Sequence, residues 1–272
     1  MSSPLFPADP DASLRARVLA RVQRSVALHR EYTTVRRQHG VWAAAMPGVA
    51  ARRLREDAVV RVELLRLDAG AVLPWPDDAR AQELLVLSGA LDAQPQEGQQ
   101  VMLGPQDYAI RERDAGLGLR AAASGAEVYV RQRRVDAAQL PALEAHWWRL
   151  TQDRARLVQH ERRRWSEVSP GVEALALWGD REVVSMLVRF APGASVADHH
   201  HALDEDCLVL DGEMFLGDIL LRAGDYQLAP AGGGHWGETS DVGVVFFFHG
   251  ALDPVLTKDS TAASRSPSGS AA

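Results

Sequence analysis

The chain has 272 residues, 46% of them hydrophobic and 24% charged, with a formal net charge of −6 and a single cysteine. That length allows one large domain or two ordinary ones with real cores. A lone cysteine excludes an intrachain disulfide framework, no apolar run is long enough to cross a membrane as a helix, and the acidic balance argues against bulk nucleic-acid binding.

The opening "MSSPLFPADPDASLRARVLARV" lacks the apolar core of a secretory signal, so a cytoplasmic protein is expected. Residues 1–57 carry ten arginines against five acids, which places the acidity downstream. Around 13–31, Leu14, Val18, Val22 and Val26 recur every fourth residue and predict an amphipathic, Arg-rich helix. Its stripe is expected to pack on the body of the protein; the alternative is a face for a partner. "VVRVELLRL" (59–67), "ELLVLSG" and "AEVYVRQRR" (126–134) then read as strands ending at turns. Pro141 suits a first helical turn, and Leu143, Trp147, Leu150 and Leu157 follow at helical spacing. "EVVSMLVRF" (182–190), "DCLVLDG" and "VGVVFFFHG" (242–250) are again strands, and the polar ending is expected to be disordered.

The two β-rich regions are copies of one another. Trp42, Pro47, Gly48, Val49, Gly70 and Gly89 recur as Trp165, Pro170, Gly171, Val172, Gly193 and Gly212, all at an offset of 123 residues. "QDYAI" (106–110) answers "GDYQL" (224–228) at an offset of 118, and the difference falls in the turn-rich "DAQPQEGQQ". Short strands and Gly, Pro and Asp turns predict a mainly β chain of two tandem jelly-roll barrels, with an N-terminal helix and an inter-domain helix.

"DHHHALDEDCLVLDG" (198–212) concentrates the polar chemistry. On a strand, His199 and His201 share a face and His200 points the other way. A short turn can return Glu205 to the same interior, and His235 follows a Gly-rich bend where a strand re-enters the fold.

The spacing Gly193, His199, His201, Glu205, Gly212 resembles the first cupin motif, and Gly224, Pro230, Gly232, His235 resembles the second, with Thr239 in place of the closing asparagine. The resemblance covers about 165–255. It implies a β-barrel holding one divalent metal ion on His199, His201, Glu205 and His235. Fe, Mn and Ni would keep positions open for substrate, whereas tetrahedral Zn would be nearly closed by four ligands. Cys207, Tyr226 and Trp236 are candidates for lining the pocket. In the first copy the same positions are Pro76, Asp78, Gln82 and Leu117, so that barrel is expected to be metal-free.

"PGVAARRL", "LLRLDAGAVLPW" and "QELLVLSG" further resemble the cupin-like domain of ChrR-type anti-sigma factors. The resulting organisation is a flexible N-terminus and amphipathic helix (1–39), a degenerate cupin domain (40–134), a helical linker (135–164), a metal-binding cupin domain (165–255) and a disordered tail (256–272). That resemblance implies a regulatory or sensing protein meeting a sigma factor or another protein through its N-terminal helix, although residues 1–40 lack the family's zinc-binding cysteines. Two alternatives are a metal-dependent dioxygenase cleaving a diketone-type molecule and a non-catalytic small-molecule-binding bicupin. In each, a small molecule would enter the second cupin; neither a membrane nor nucleic acid is an expected partner, and a homodimer is one possible assembly.

Overall fold

The computed structural model describes residues 10–96, 98–113, 115–149 and 155–253, and in it the two copies form two antiparallel barrels with one strand order. The first sheet runs 43–46, 49–56, 60–67, 117–133, 81–95, 108–112 and 155–158. The second runs 166–169, 172–179, 183–190, 244–251, 205–216, 226–229 and 33–35. The duplication read from the sequence is therefore also a duplication of topology. Gly89 and Gly212, at φ 69° and 74°, show why glycine recurs: a Cβ there would meet the carbonyl oxygen of Gly125 or Gly243 across the sheet.

The outermost strands are exchanged. Thr33–Val35 precedes the first copy yet joins the second barrel, with Val35 opposite Tyr226. Ala155–Val158 precedes the second copy yet joins the first, with Val158 opposite Tyr108. Anchors just after these strands match too: the Arg37 N–H donates to Asp225 Oδ1 at 2.8 Å, and the His160 N–H donates to Asp107 Oδ1 at 2.9 Å. Each barrel edge is thus covered by the other repeat's leading segment, which protects ladder groups that would otherwise be open.

The predicted N-terminal helix is α1 (Pro10–Leu28), and the exchanged edge strand Thr33–Val35 follows it. The linker is not helical throughout: helix α2 spans Ala142–Arg149, and Leu157 lies in the strand Ala155–Val158. Ladder partners on Tyr108–Arg111 override the helical spacing there. Leu150 and the tail 256–272 lie outside the described residues.

The α1 stripe does not pack on the body either. Leu14, Val18 and Val22 are 51–52% exposed and Val26 65%. The helix is instead tied by Arg21, whose Nε donates to Asp218 Oδ1 at 2.9 Å. No helix among the described residues is long and apolar enough to cross a membrane.

Three cores follow from strand alternation. One fills the first barrel, including Leu65, Leu84 and Val128; one fills the second, including Val188, Cys207 and Phe246. The third lies between the barrels and joins Leu64, Tyr129, Trp147, Leu187, Tyr226 and Phe247. Burying each such side chain contributes about 1.5–3 kcal/mol.

Charges are buried in that same interface. Arg131 donates to Glu144 Oε1 at 2.6 Å and to Asp206 Oδ2 at 3.2 Å, while Tyr226 donates to Asp206 Oδ1. Glu83, at the position equivalent to Asp206, accepts from Tyr108 and Ser185, and Ser185 meets His249 Nδ1 at 2.9 Å. Removing one member of such a network strands the other charges, so it ties the barrels to one relative position.

Candidate metal centre

Alternation along the second barrel's first motif is as the parity argument requires: His199 and His201 are buried and His200 is exposed. A two-residue ladder sets His199 opposite His235. The His201 N–H donates to Gly233 O at 3.0 Å, and the Gly232 N–H donates back to His201 O at 2.8 Å, so the Gly-rich bend is stitched to the histidine strand. Glu205 opens the long strand Glu205–Leu216 and points into the same interior.

His199, His201 and Glu205 each present a ligand atom within 4.8 Å of the others, and all three are buried. His235 Nε2 lies 3.0 Å from Glu205 Oε1, and His201 Nε2 lies 3.3 Å from Glu205 Oε2. The His235 ring centroid is 4.5 Å from that of His201 and 5.5 Å from that of His199. His199, His201 and Glu205 thus bring three ligand atoms together, and His235 lies beside them against Glu205.

The donor set fits a divalent cation. Both ring nitrogens of His201 and Nδ1 of His235 are buried without a hydrogen-bond partner, an unusual state for buried polar atoms. His199 directs Nδ1 to Ala197 O at 3.1 Å, which leaves Nε2 for the interior. Burial, assisted by the neighbouring histidines, pushes the His201 pKa down to about 4, so the ring is neutral near pH 7 and able to ligate. Burial works to raise the Glu205 pKa, but the charge and hydrogen bond of His235 outweigh it and hold the carboxyl down at about 2. Burial likewise opposes charge on His235, yet Glu205 raises its pKa. Metal binding at His235 would displace a proton from the ring.

A cavity of about 110 Å³ adjoins the centre. Its walls are apolar, with Met186, Val188, Phe190, Phe246 and Phe248, and its polar end carries His199, Glu205 and Glu238. Glu238 is 7% exposed, and its Oε2 lies 3.9 Å from His199 Nε2. Burial raises its pKa, although His235 and His199 oppose the shift. Sequence reasoning missed Glu238. The available signal was that it is the only acid in 226–240, directly behind the second motif.

The proposed pocket-lining residues are dispersed. Cys207 is buried in the second barrel's core beside Phe248, and burial, then the charge of Glu205, push its thiol pKa well up, so it is an inert packing group. Tyr226 belongs to the inter-barrel core because its strand position faces away from the barrel interior. Trp236 lies edge-on to His200 and borders a groove against α1, since it shares the outward face of His200. Tyr32, which the sequence left unassigned, reaches the centre from the exchanged N-terminal segment, with its ring 5.9 Å from that of His235.

In the first barrel a guanidinium replaces the metal chemistry. Arg111 donates from Nε and Nη2 to Oε1 of Gln82, the counterpart of Glu205, at 3.0 and 2.6 Å. Its Nη1 donates to the carbonyl of Leu117, the counterpart of His235, at 2.7 Å, and its Cζ sits 4.6 Å from the centroid of the Trp75 ring. Two acids of that barrel are engaged elsewhere: Asp78 pairs with Arg61 and Arg134, and Glu83 faces the other barrel.

Residues 153–253 match the family described as ChrR Cupin-like domain. No curated protein sequence matches the chain. Among solved structures, a single-site variant of Bacillus subtilis oxalate decarboxylase is similar over 82% of this chain and 78% of its own, at 17% identity and TM-score 0.56. A candidate dioxygenase from Nostoc punctiforme is similar over 82% and 84%, at 14% identity and TM-score 0.62. A candidate glyoxylate-induced protein from Pseudomonas aeruginosa is similar over 81% and 89%, at 14% identity and TM-score 0.61. At these identities the likeness concerns the fold.

Proposed function

We propose, from the match of residues 153–253 to the ChrR Cupin-like domain family and the bicupin-like fold, that this chain is a one-metal bicupin that takes a small diketone-type molecule into its second barrel and acts as a dioxygenase. The observation that carries this reading is the apolar cavity ending on His199, Glu205 and Glu238. His199, His201, Glu205 and His235 would hold the ion, with Fe, Mn, Ni and Zn all compatible with the donor types. A redox-active ion bound there supplies Lewis acidity and electron-transfer chemistry.

The chain's own residues supply the remainder. Phe190, Phe246, Phe248 and Met186 exclude water and give a flat, uncharged substrate an apolar bed. Glu238, at the polar end of the cavity, would take the acidic proton from the carbon between two carbonyls, and burial, which raises its pKa, suits it to hold that proton. Three histidines and one carboxylate leave a six-coordinate ion two further positions, which is what a chelating substrate needs.

The test is oxygen consumption by the full chain loaded with Fe, Mn or Ni in turn and offered a panel of 1,3-diketones. Saturable, substrate-dependent uptake that disappears in His201→Ala supports the reading. Absence of uptake with every metal and diketone counts against it and leaves the non-catalytic binding reading.

The half-exposed stripe of α1 favours a second reading, the regulatory one, in which the helix meets a sigma factor or another protein. It predicts a stoichiometric co-purifying partner that is lost when Leu14, Val18 and Val22 are replaced by serine.

A further inference from the structure

A second polar feature lies away from the metal centre. A cleft of about 390 Å³ opens between the barrels, bordered by 86–88 from one repeat and 208–211 from the other. Three arginines line it: Arg37, Arg52 and Arg66. Arg66 is engaged, since its Nε donates to Glu127 Oε2 at 2.8 Å and its Cζ stacks 3.9 Å from the Trp42 centroid. The guanidinium groups of Arg37 and Arg52 pair with no carboxylate within 4.0 Å among the described residues, although the Arg37 N–H holds Asp225 Oδ1 and Glu127 and Asp211 also line the cleft.

Arg52 is the more telling of the two. The residue is 3% exposed, and among the described residues its side chain makes one hydrogen bond, from Nη2 to the backbone carbonyl of Arg36. Nε is enclosed without an acceptor, covered by Gly40, where any side chain would strike it. A buried guanidinium without a carboxylate is costly unless something else neutralises it.

The internal duplication shows that the fold does not demand this. The counterpart of Arg52 in the second repeat is Leu175, fully buried in the inter-barrel core. Gln106 makes the same point. It is the one non-glycine residue at positive φ among the described residues, at 68°, where its counterpart Gly224 sits at 87°. The left-handed conformation is unfavourable for a residue that carries a Cβ; the Gln106 N–H donates to Val86 O at 2.8 Å, but its side-chain amide has no hydrogen-bond partner among the described residues. Both departures from the repeat border one cleft.

We propose that this inter-barrel cleft binds a small oxyanion, a carboxylate or phosphate group, received by Arg52 with Arg37 and the Gln106 amide. Arg52 Nη1, left without a partner among the described residues, and the Arg37 guanidinium supply N–H donors suited to such a group. The site is separate from the metal ligands and needs no metal.

The test is calorimetric titration of the full chain with inorganic phosphate and, separately, with malonate. The site predicts saturable binding of at least one of them; preference for phosphate marks a phosphoryl ligand and preference for malonate a carboxylate. Arg52→Leu, which installs the second repeat's own residue, should fold with an unchanged or higher Tm and bind at least tenfold more weakly. Gln106→Gly should weaken binding while raising Tm, and His235→Ala should leave binding unchanged. Absence of saturable binding by either anion in the millimolar range overturns the proposal. So does binding that survives Arg52→Leu, or binding lost in His235→Ala alone.

Discussion

Tyr32 clamps the peptide of Gly234 from both sides: its hydroxyl donates to Gly234 O at 2.7 Å and accepts from Gly234 N at 2.8 Å, across 202 residues of sequence. The next residue is His235. An N-terminal segment exchanged onto the second barrel thus fixes the bend that delivers one of the proposed ligands.

Tyr32→Phe removes both bonds and leaves two buried backbone groups unpaired. It should destabilise the protein by about 1–3 kcal/mol and lower metal affinity about 10- to 100-fold, as loss of a supporting hydrogen bond commonly does. Urea unfolding and chelator competition measure the two effects. Unchanged affinity would show that the bend holds its position without Tyr32.

The first barrel makes an opposite prediction. Arg111→Leu deletes the guanidinium that satisfies Gln82 and the Leu117 carbonyl. Stability should fall by about 1–3 kcal/mol while metal content stays unchanged. Burial lowers the Arg111 pKa to about 10, still well above neutral, so this is a charged group in an apolar barrel. A change in metal stoichiometry in this variant would refute the assignment of a single centre.

Acid should loosen the inter-barrel joint. Burial works to raise the Glu144 pKa, but Arg131 and His249 outweigh it and hold the carboxyl far below the usual carboxylate range. A carboxyl depressed on folding stabilises the protein fully above its unfolded pKa of about 4.5, and that contribution is lost as pH falls below it. Thermal unfolding between pH 6 and pH 3 should therefore show a steeper decline for the wild type than for Glu144→Gln. Parallel declines would mean that Glu144 is not the titrating group.

Glu238→Gln keeps the shape of the cavity but cannot take a proton. It should retain the metal and reduce diketone-dependent oxygen uptake at least 100-fold, within the usual range for a lost general base. Full activity would remove Glu238 from the chemistry.

How far the sequence carries the reader differs between fold and site. Trp42 and Trp165, Gly89 and Gly212, and the two Asp-Tyr pairs reveal the duplication because each serves local backbone or packing needs that recur in both copies. His199 and His201 are legible because strand parity puts them on one face, and Glu205 because a short turn returns it to the same interior at the start of the next strand. Leu157 misled because helical spacing over a few residues is weak against a waiting strand edge. The exchange of 33–35 and 155–158, the reach of Tyr32 to Gly234, and the replacement of a metal by Arg111 are long-range pairings with no local periodicity. Glu238 carried only its residue type, and type without partners does not specify a role.

The most direct measurement is elemental mass spectrometry of the full chain, purified without tags or chelators and again after reconstitution. Wild type should hold about one divalent ion per chain, and a His201→Ala, His235→Ala double variant that keeps its β-sheet circular dichroism should hold none. A folded wild type that takes up no metal, or a double variant that keeps a full equivalent, would contradict the metal centre on which the functional account rests.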